Sequence, residues 1–231
     1  MEMVLVIVII GILAGVATIK LATSTDTVRY ESTKAEMRAI ARAILGAAEP
    51  GVPDDAGFGY VGDIGALPPD VNALIFNTTG YATWRGPYLD TAMGSSQARR
   101  DAWEAEYVIM DMLIRSSGSG TNIDLVFVSG SGSLLNNSIT GNVRSADGRP
   151  PGETYRDSFM VSLEFPDGSG GMNQATVNPD AFGYFAFNDI PIGRHRLQAI
   201  FIPDNDTLTY TVTIVPGTVA EIDAAFPADL W

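Results

Sequence analysis

Groups able to do proton or nucleophile chemistry are scarce in this chain of 231 residues. It has one histidine, His195, between Arg194 and Arg196, and no cysteine. Neither an H-E-x-x-H zinc pattern nor a G-x-S-x-G elbow occurs, and no nucleophile–base pair stands out. The absence of cysteine excludes a disulfide, a thiolate nucleophile, Cys-ligated zinc and covalently attached c-type haem. Gly57-x-Gly59-x-x-Gly62 matches the dinucleotide fingerprint, but no strand precedes it and Pro68-Pro69 stand where its helix would run. The expectation is a protein that is not an enzyme.

The group that demands an explanation is the carboxylate of Glu2. It heads Met3 to Ile19, seventeen residues without a charge. At ~1.5 Å per residue that run spans about 25 Å, slightly short of a ~30 Å hydrocarbon core. It needs a membrane, a protein core, or each in turn. An ionised carboxylate buried beside it is costly unless paired or protonated, so a plain anchor has no use for Glu2. A secretory signal peptide fails too. Its leading region should be basic, and no A-x-A-like cleavage site follows.

The elements that must position these residues follow from periodicity. Met37, Ile40, Ala41, Ile44 and Leu45 recur at helical spacing, and Gly46 with Pro50-Gly51 closes the pattern. One long helix is expected over 2–47, apolar all round over 3–19 and amphipathic over 20–47. A turn-rich loop covers 49–70, with a short helix at 70–76. Tyr107–Arg115 and Asp124–Ser129 read as strands of a small antiparallel sheet laid on the helix. The Gly/Ser-rich stretch 129–133 reads as a linker. Seven short strands then alternate apolar and polar residues, as in a β-sandwich. The expected fold is α+β, a long helix packed on a small antiparallel sheet (a pilin fold) followed by an all-β seven-stranded sandwich. The expected divisions are 1–48, 49–135 and 136–231.

The net charge is −13, and it is unevenly spread. Residues 1–48 carry five Lys/Arg against four Asp/Glu, 49–138 four against eleven, and 139–231 five against twelve. The acidic parts repel nucleic acid and anionic lipid, so nucleic acid is not an expected partner. A charged coat of this kind keeps polymers from bundling. Lys20 and Lys34 are the only lysines.

Glu2, the apolar run and Gly11 nine residues later resemble the N-terminus of a type IV pilin or a type II secretion major pseudopilin. The family's leading residues and processing site are missing before Met1, and the expectation is that the sequence starts late. The family's usual proline falls at Ile19. Trp84-Arg85-Gly86-Pro87-Tyr88-Leu89 resembles the W-x-G-P-Y-L of major pseudopilins. Asp101, Trp103 and Tyr107 resemble their D-P-W-G-x-x-Y, with Ala102 and Glu104 replacing Pro and Gly. In such relatives the following loop can hold calcium. Here it offers Asn122 and Asp124, too few hard ligands, and the expectation is no cofactor. The part after 136 resembles the carboxypeptidase-regulatory-like, transthyretin-like sandwich through Gly141-x-Val143, Gly183-x-Phe185-x-Phe187 and Ile190-Pro191-x-Gly193. A Lys–Asn isopeptide crosslink is excluded, since no lysine follows Lys34.

The resemblance implies a structural subunit that polymerises with copies of itself. Met3, Val4, Leu5, Val6, Ile7, Val8, Ile9, Ile10, Ile12 and Leu13 would form the filament core. Gly11 and Gly15 would weaken the helix by ~1 kcal/mol each relative to alanine. Glu2 would direct assembly by neutralising the terminal ammonium of an adjacent subunit. Trp84, Gly86, Pro87, Tyr88, Leu89, Asp101, Trp103 and Tyr107 would build the head. The subunit would wait in the inner membrane, meet an assembly machinery there, and end in an extracellular pilus-like filament decorated by the sandwich, whose ligand is open. The alternatives are a major pseudopilin in a periplasmic pseudopilus and a membrane-tethered sandwich that binds a ligand.

Overall fold

The computed structural model describes residues 2–46, 57–89 and 99–231 and, of the first helix, the side chains of residues 3, 6–13 and 25–45. That helix, α1, runs Glu2–Leu45 without a proline. It stops at Gly46, whose φ of +55° ends the helical path; a Cβ there would lie 2.1 Å from the Gly57 carbonyl oxygen.

Among the described side chains of α1, the buried ones lie in its last third. Thr33, Met37, Ile40, Ala41, Ile44 and Leu45 form one stripe. Facing it are the short helix α2 (Gly59–Ile64) and a 3₁₀ turn at Val71–Leu74, capped by the Asp70 carboxylate, which accepts from Ala73 N at 2.9 Å. Tyr60, Val61, Ile64, Val71 and Leu74 fill the space between them. Three short strands, β1 (Val108–Ile109), β2 (Leu113–Ser116) and β3 (Ile123–Val126), form an antiparallel sheet beside this core. The stretch 107–115, expected as one strand, breaks into a hairpin in which Met110 N donates to Leu113 O at 2.9 Å.

The expected fold class is therefore corrected. There is no long helix packed on a small sheet in the pilin manner. The helix meets α2 more than the sheet, and strands of two to four residues are too short to cover it. The segment 58–76 spends its apolar residues on helical turns, and these take the amphipathic stripe. The molecule is mostly β, and its main body is a β-sandwich.

The sandwich has two sheets. One is β10 (Val219–Phe226), β4 (Asn137–Ser145) and β7 (Tyr184–Ile190), with β10 parallel to β4 over eight residue pairs. The other is β6 (Met172–Val177), β5 (Phe159–Pro166), β8 (Gly193–Phe201) and β9 (Asp206–Ile214), antiparallel throughout. Period-2 burial places Ile139, Val143, Phe159, Leu163, Phe185, Leu197 and Phe226 between the sheets.

Head and sandwich are joined by a plug. Ile192, in the β7–β8 turn, is buried in the head core, and its N–H donates to Leu134 O at 2.9 Å. Leu134, directly after the stretch 129–133 read as a linker, is fully buried. Gly168 N donates to Ile64 O at 2.8 Å, and Ala82 N and Thr83 N both donate to Gly170 O.

His195 sits behind the plug. Its Nε2 bonds the Pro191 carbonyl oxygen at 2.7 Å, and Nδ1 is buried without a hydrogen-bond partner among the described residues. Burial holds its pKa below the usual 6.5, and the bond to Pro191 only partly opposes this. The neutral ring is what the fold stabilises. That contribution is complete above about pH 6.5 and is lost as pH falls toward the depressed value. Urea midpoints should drop between about pH 7.5 and 5 by an amount that vanishes in His195→Leu; an unchanged slope in that variant rules the ring out as the cause.

Candidate functional site

Every described side chain of the α1 tip lies on the surface. Met3 is 80 % exposed, and Val6, Ile7, Val8, Ile9, Ile10, Ile12 and Leu13 are 48–69 % exposed. Residues 6–13 are consecutive, so at about 100° per residue they cover the whole circumference of the helix. The head covers none of it. A helix apolar all round belongs inside something, and one partner on one side would leave the rest wet. Glu2, Val4, Leu5 and Gly15 have side-chain positions outside the described residues. A Cβ at Gly11 would meet nothing within 4 Å, so nothing in the single chain requires glycine there. The missed signal is the spacing Gly11-x-x-x-Gly15. Small residues four apart let another helix backbone approach closely. Among the described residues no helix is long and apolar enough to cross a membrane. The uncharged sequence continues beyond Leu13 to Ile19.

The head residues singled out by sequence fall into two networks, the first tied to α2 and the 3₁₀ turn and the second to α1. In the first, the Trp84 indole N–H donates to Ala73 O at 3.2 Å and its ring meets Tyr88 edge-on, with centroids 5.5 Å apart. The Tyr88 hydroxyl donates to Asp63 at 2.9 Å, and Tyr88 N donates to Leu74 O at 2.8 Å. A Cβ on Gly86 would lie 2.5 Å from the Trp84 ring. The Gly86–Pro87 bond is cis, and Leu89 is buried. Burial pushes the Tyr60 hydroxyl up to about 12, with Tyr81 and Asp70 adding to it. Burial also raises Asp63, against the lowering effects of Tyr88 and Arg85.

The second network centres on Asp101, 3 % exposed. Its carboxylate accepts from Ser116 Oγ at 2.5 Å, from Trp103 N and Ala105 N at 2.9 Å, and from Gly118 N at 3.0 Å. Burial would raise its pKa, but these four donors together hold it below the ordinary carboxylate value. The next residue reaches α1: Ala102 N donates to Thr33 Oγ1 at 3.2 Å. The Tyr107 hydroxyl donates to Glu36 at 2.5 Å, and burial raises its pKa. Thr33 and Glu36 were not singled out by sequence, because only the fold brings them to this loop.

Asp124, one of the two loop oxygen donors, is held by Arg115 through two bonds of 2.7 and 2.8 Å, so it is not free for a cation. No group of three or more His, Cys, Asp or Glu side chains among the described residues could hold a metal ion.

No family model matches the chain, and no curated protein matches it. Among solved structures 14 chains match. One is the crystal structure of a candidate carbohydrate-binding protein from Pseudomonas aeruginosa, 18 % identical, covering 40 % of this chain and 90 % of that one with a TM-score of 0.26. A likeness at that score carries no argument about what this chain binds.

Proposed function

We propose that the chain is a non-enzymatic structural subunit that polymerises through its apolar N-terminal segment into an extracellular, pilus-like filament, with the sandwich displayed outside. The observation that carries this reading is the all-round exposure of Met3 and of Val6 to Leu13. A bundle of such segments covers every side of each. Large apolar side chains gain roughly 1.5–3 kcal/mol each on leaving water, so the bundle is favoured over the dispersed state by tens of kcal/mol. Lipid offers almost the same environment, so exchange between an inner-membrane store and the bundle is nearly balanced and an assembly machinery can drive it.

Glu2 supplies register. Its carboxylate, next to an apolar bundle, requires a cationic partner from a neighbouring copy. Glu2→Gln is expected to leave the chain in the membrane fraction at wild-type abundance and to reduce sheared surface filaments to background. Normal filament yield from Glu2→Gln defeats the assignment. Electron microscopy of wild-type sheared material tests the reading as a whole. A particle that stays single, on cells lacking any fibre that contains it, ends the proposal. Residues 84–89 and 101–107, which resemble major pseudopilins, favour a second form of the same proposal, a short periplasmic polymer. Filament length and location decide between the two forms.

A further inference from the structure

We propose that the groove between α1 and β3 receives the N-terminal segment of another copy of this chain, with Arg38 of the receiving copy facing Glu2 of the incoming one. This rests on the filament reading and names the contact that sets its register. The groove has a volume of about 610 Å³ and is walled by Ala41 and Leu45 of α1, Val126 and Phe127 at the edge strand of the head sheet, and Val215 before β10. Arg38 is the one charged side chain along it. Arg38 is exposed and makes no ion pair, hydrogen bond or ring contact with any described residue. Arg85, Arg100 and Arg115 of the same head each have an acid within 4 Å.

The order of residues gives the occupant. Along α1 the groove reads one positive charge, then Ala41, then Leu45. The chain's own start reads one negative charge, then Met3, Val4, Leu5 and Val6. Laid parallel, charge meets charge and apolar meets apolar. Laid antiparallel, each charge faces apolar surface unpaired, which is unfavourable. The volume accommodates a turn or two of helix rather than the whole run, so several copies share the covering of each rod. Glu2 and Arg38 are 36 positions apart, which at ~1.5 Å per residue staggers the two copies by about 54 Å along the axis.

The test uses the full chain in four forms, wild type, Glu2→Arg, Arg38→Glu and the double swap, each purified in mild detergent and assembled by diluting the detergent. Far-UV circular dichroism and urea midpoints check that all four are folded; Arg38 is exposed, so the folds should match. Each single change places like charges together and should cut pelletable filament roughly tenfold or more, and the double swap should restore most of it. Loss in both singles without recovery in the double overturns the pairing. So does wild-type assembly by Arg38→Glu, which would give the groove to some other occupant. A helical reconstruction without contacts between copies offset by about 54 Å overturns it as well. All three failures occur on a background of assembling wild type, whereas a wild type that never assembles removes the filament reading itself.

Discussion

Replacing Asp101 by alanine is expected to destabilise the head by roughly 3–5 kcal/mol, the cost of leaving two or more buried donors without an acceptor. The carboxylate collects four donors, and the Ser116 hydroxyl beside it is fully buried. Truncation leaves these donors without an acceptor in space that water reaches poorly, and each such loss costs about 1–3 kcal/mol. The effect spreads because Ala102 bonds Thr33 of α1, so loop and helix loosen together. Urea unfolding followed by tryptophan emission reads this directly, since Trp103 lies in the loop. Asp101→Asn keeps the shape and some acceptor capacity and should fall between alanine and wild type. Because the folded carboxyl has a lowered pKa, its contribution is present above about pH 4 and fades as pH falls through the depressed value. A midpoint for Asp101→Ala within error of wild type would show that the four bonds contribute nothing net.

The second large effect concerns assembly alone. Ile10→Asp is expected to leave the folded body unchanged, within about 0.5 kcal/mol, because Ile10 is 59 % exposed and belongs to neither buried core. The same change puts an unpaired carboxylate inside the bundle, where the cost is several kcal/mol per copy and recurs at every subunit. Filament mass after detergent dilution should fall below detection, and Ile10→Val should assemble as wild type does. Full-length filaments from Ile10→Asp would mean that the tip of α1 stays on the outside and that the polymer, if any, is held by another surface.

What the residues told in advance was local. The stripe from Met37 to Leu45 names the buried face of α1 because a 3.6-residue repeat survives any tertiary setting. Tyr210, Val212 and Ile214 name a strand for the corresponding reason at period 2, with Tyr210 half-buried and Val212 and Ile214 fully inside. The class of the fold was misjudged because it depends on which distant segment takes the helix stripe, and residues 58–76 reached it before the sheet did. The turn at Met110–Met112 was hidden because apolar residues flank it on both sides and Asp111 alone interrupts them, so the run looked like one strand. The plug was illegible for a related reason: Ile192 reads as one more apolar residue beside Pro191, and only the packed structure assigns it to the other core. The groove was invisible since its walls come from α1, β3 and the segment before β10, which lie far apart in the chain.

The parallel pairing of β4 and β10 has a mechanical consequence. β4 leaves the head at Asn137, and β10 ends at Phe226, beside Ser145 at the opposite pole of the sandwich. Tension between the head and that far pole pulls the two strands in opposite directions along their length. All eight paired positions then resist in shear at once, where a hairpin opened from its end would yield one bond at a time. A body tethered at one pole and tugged at the other is thereby loaded along the stiff direction of its sheet.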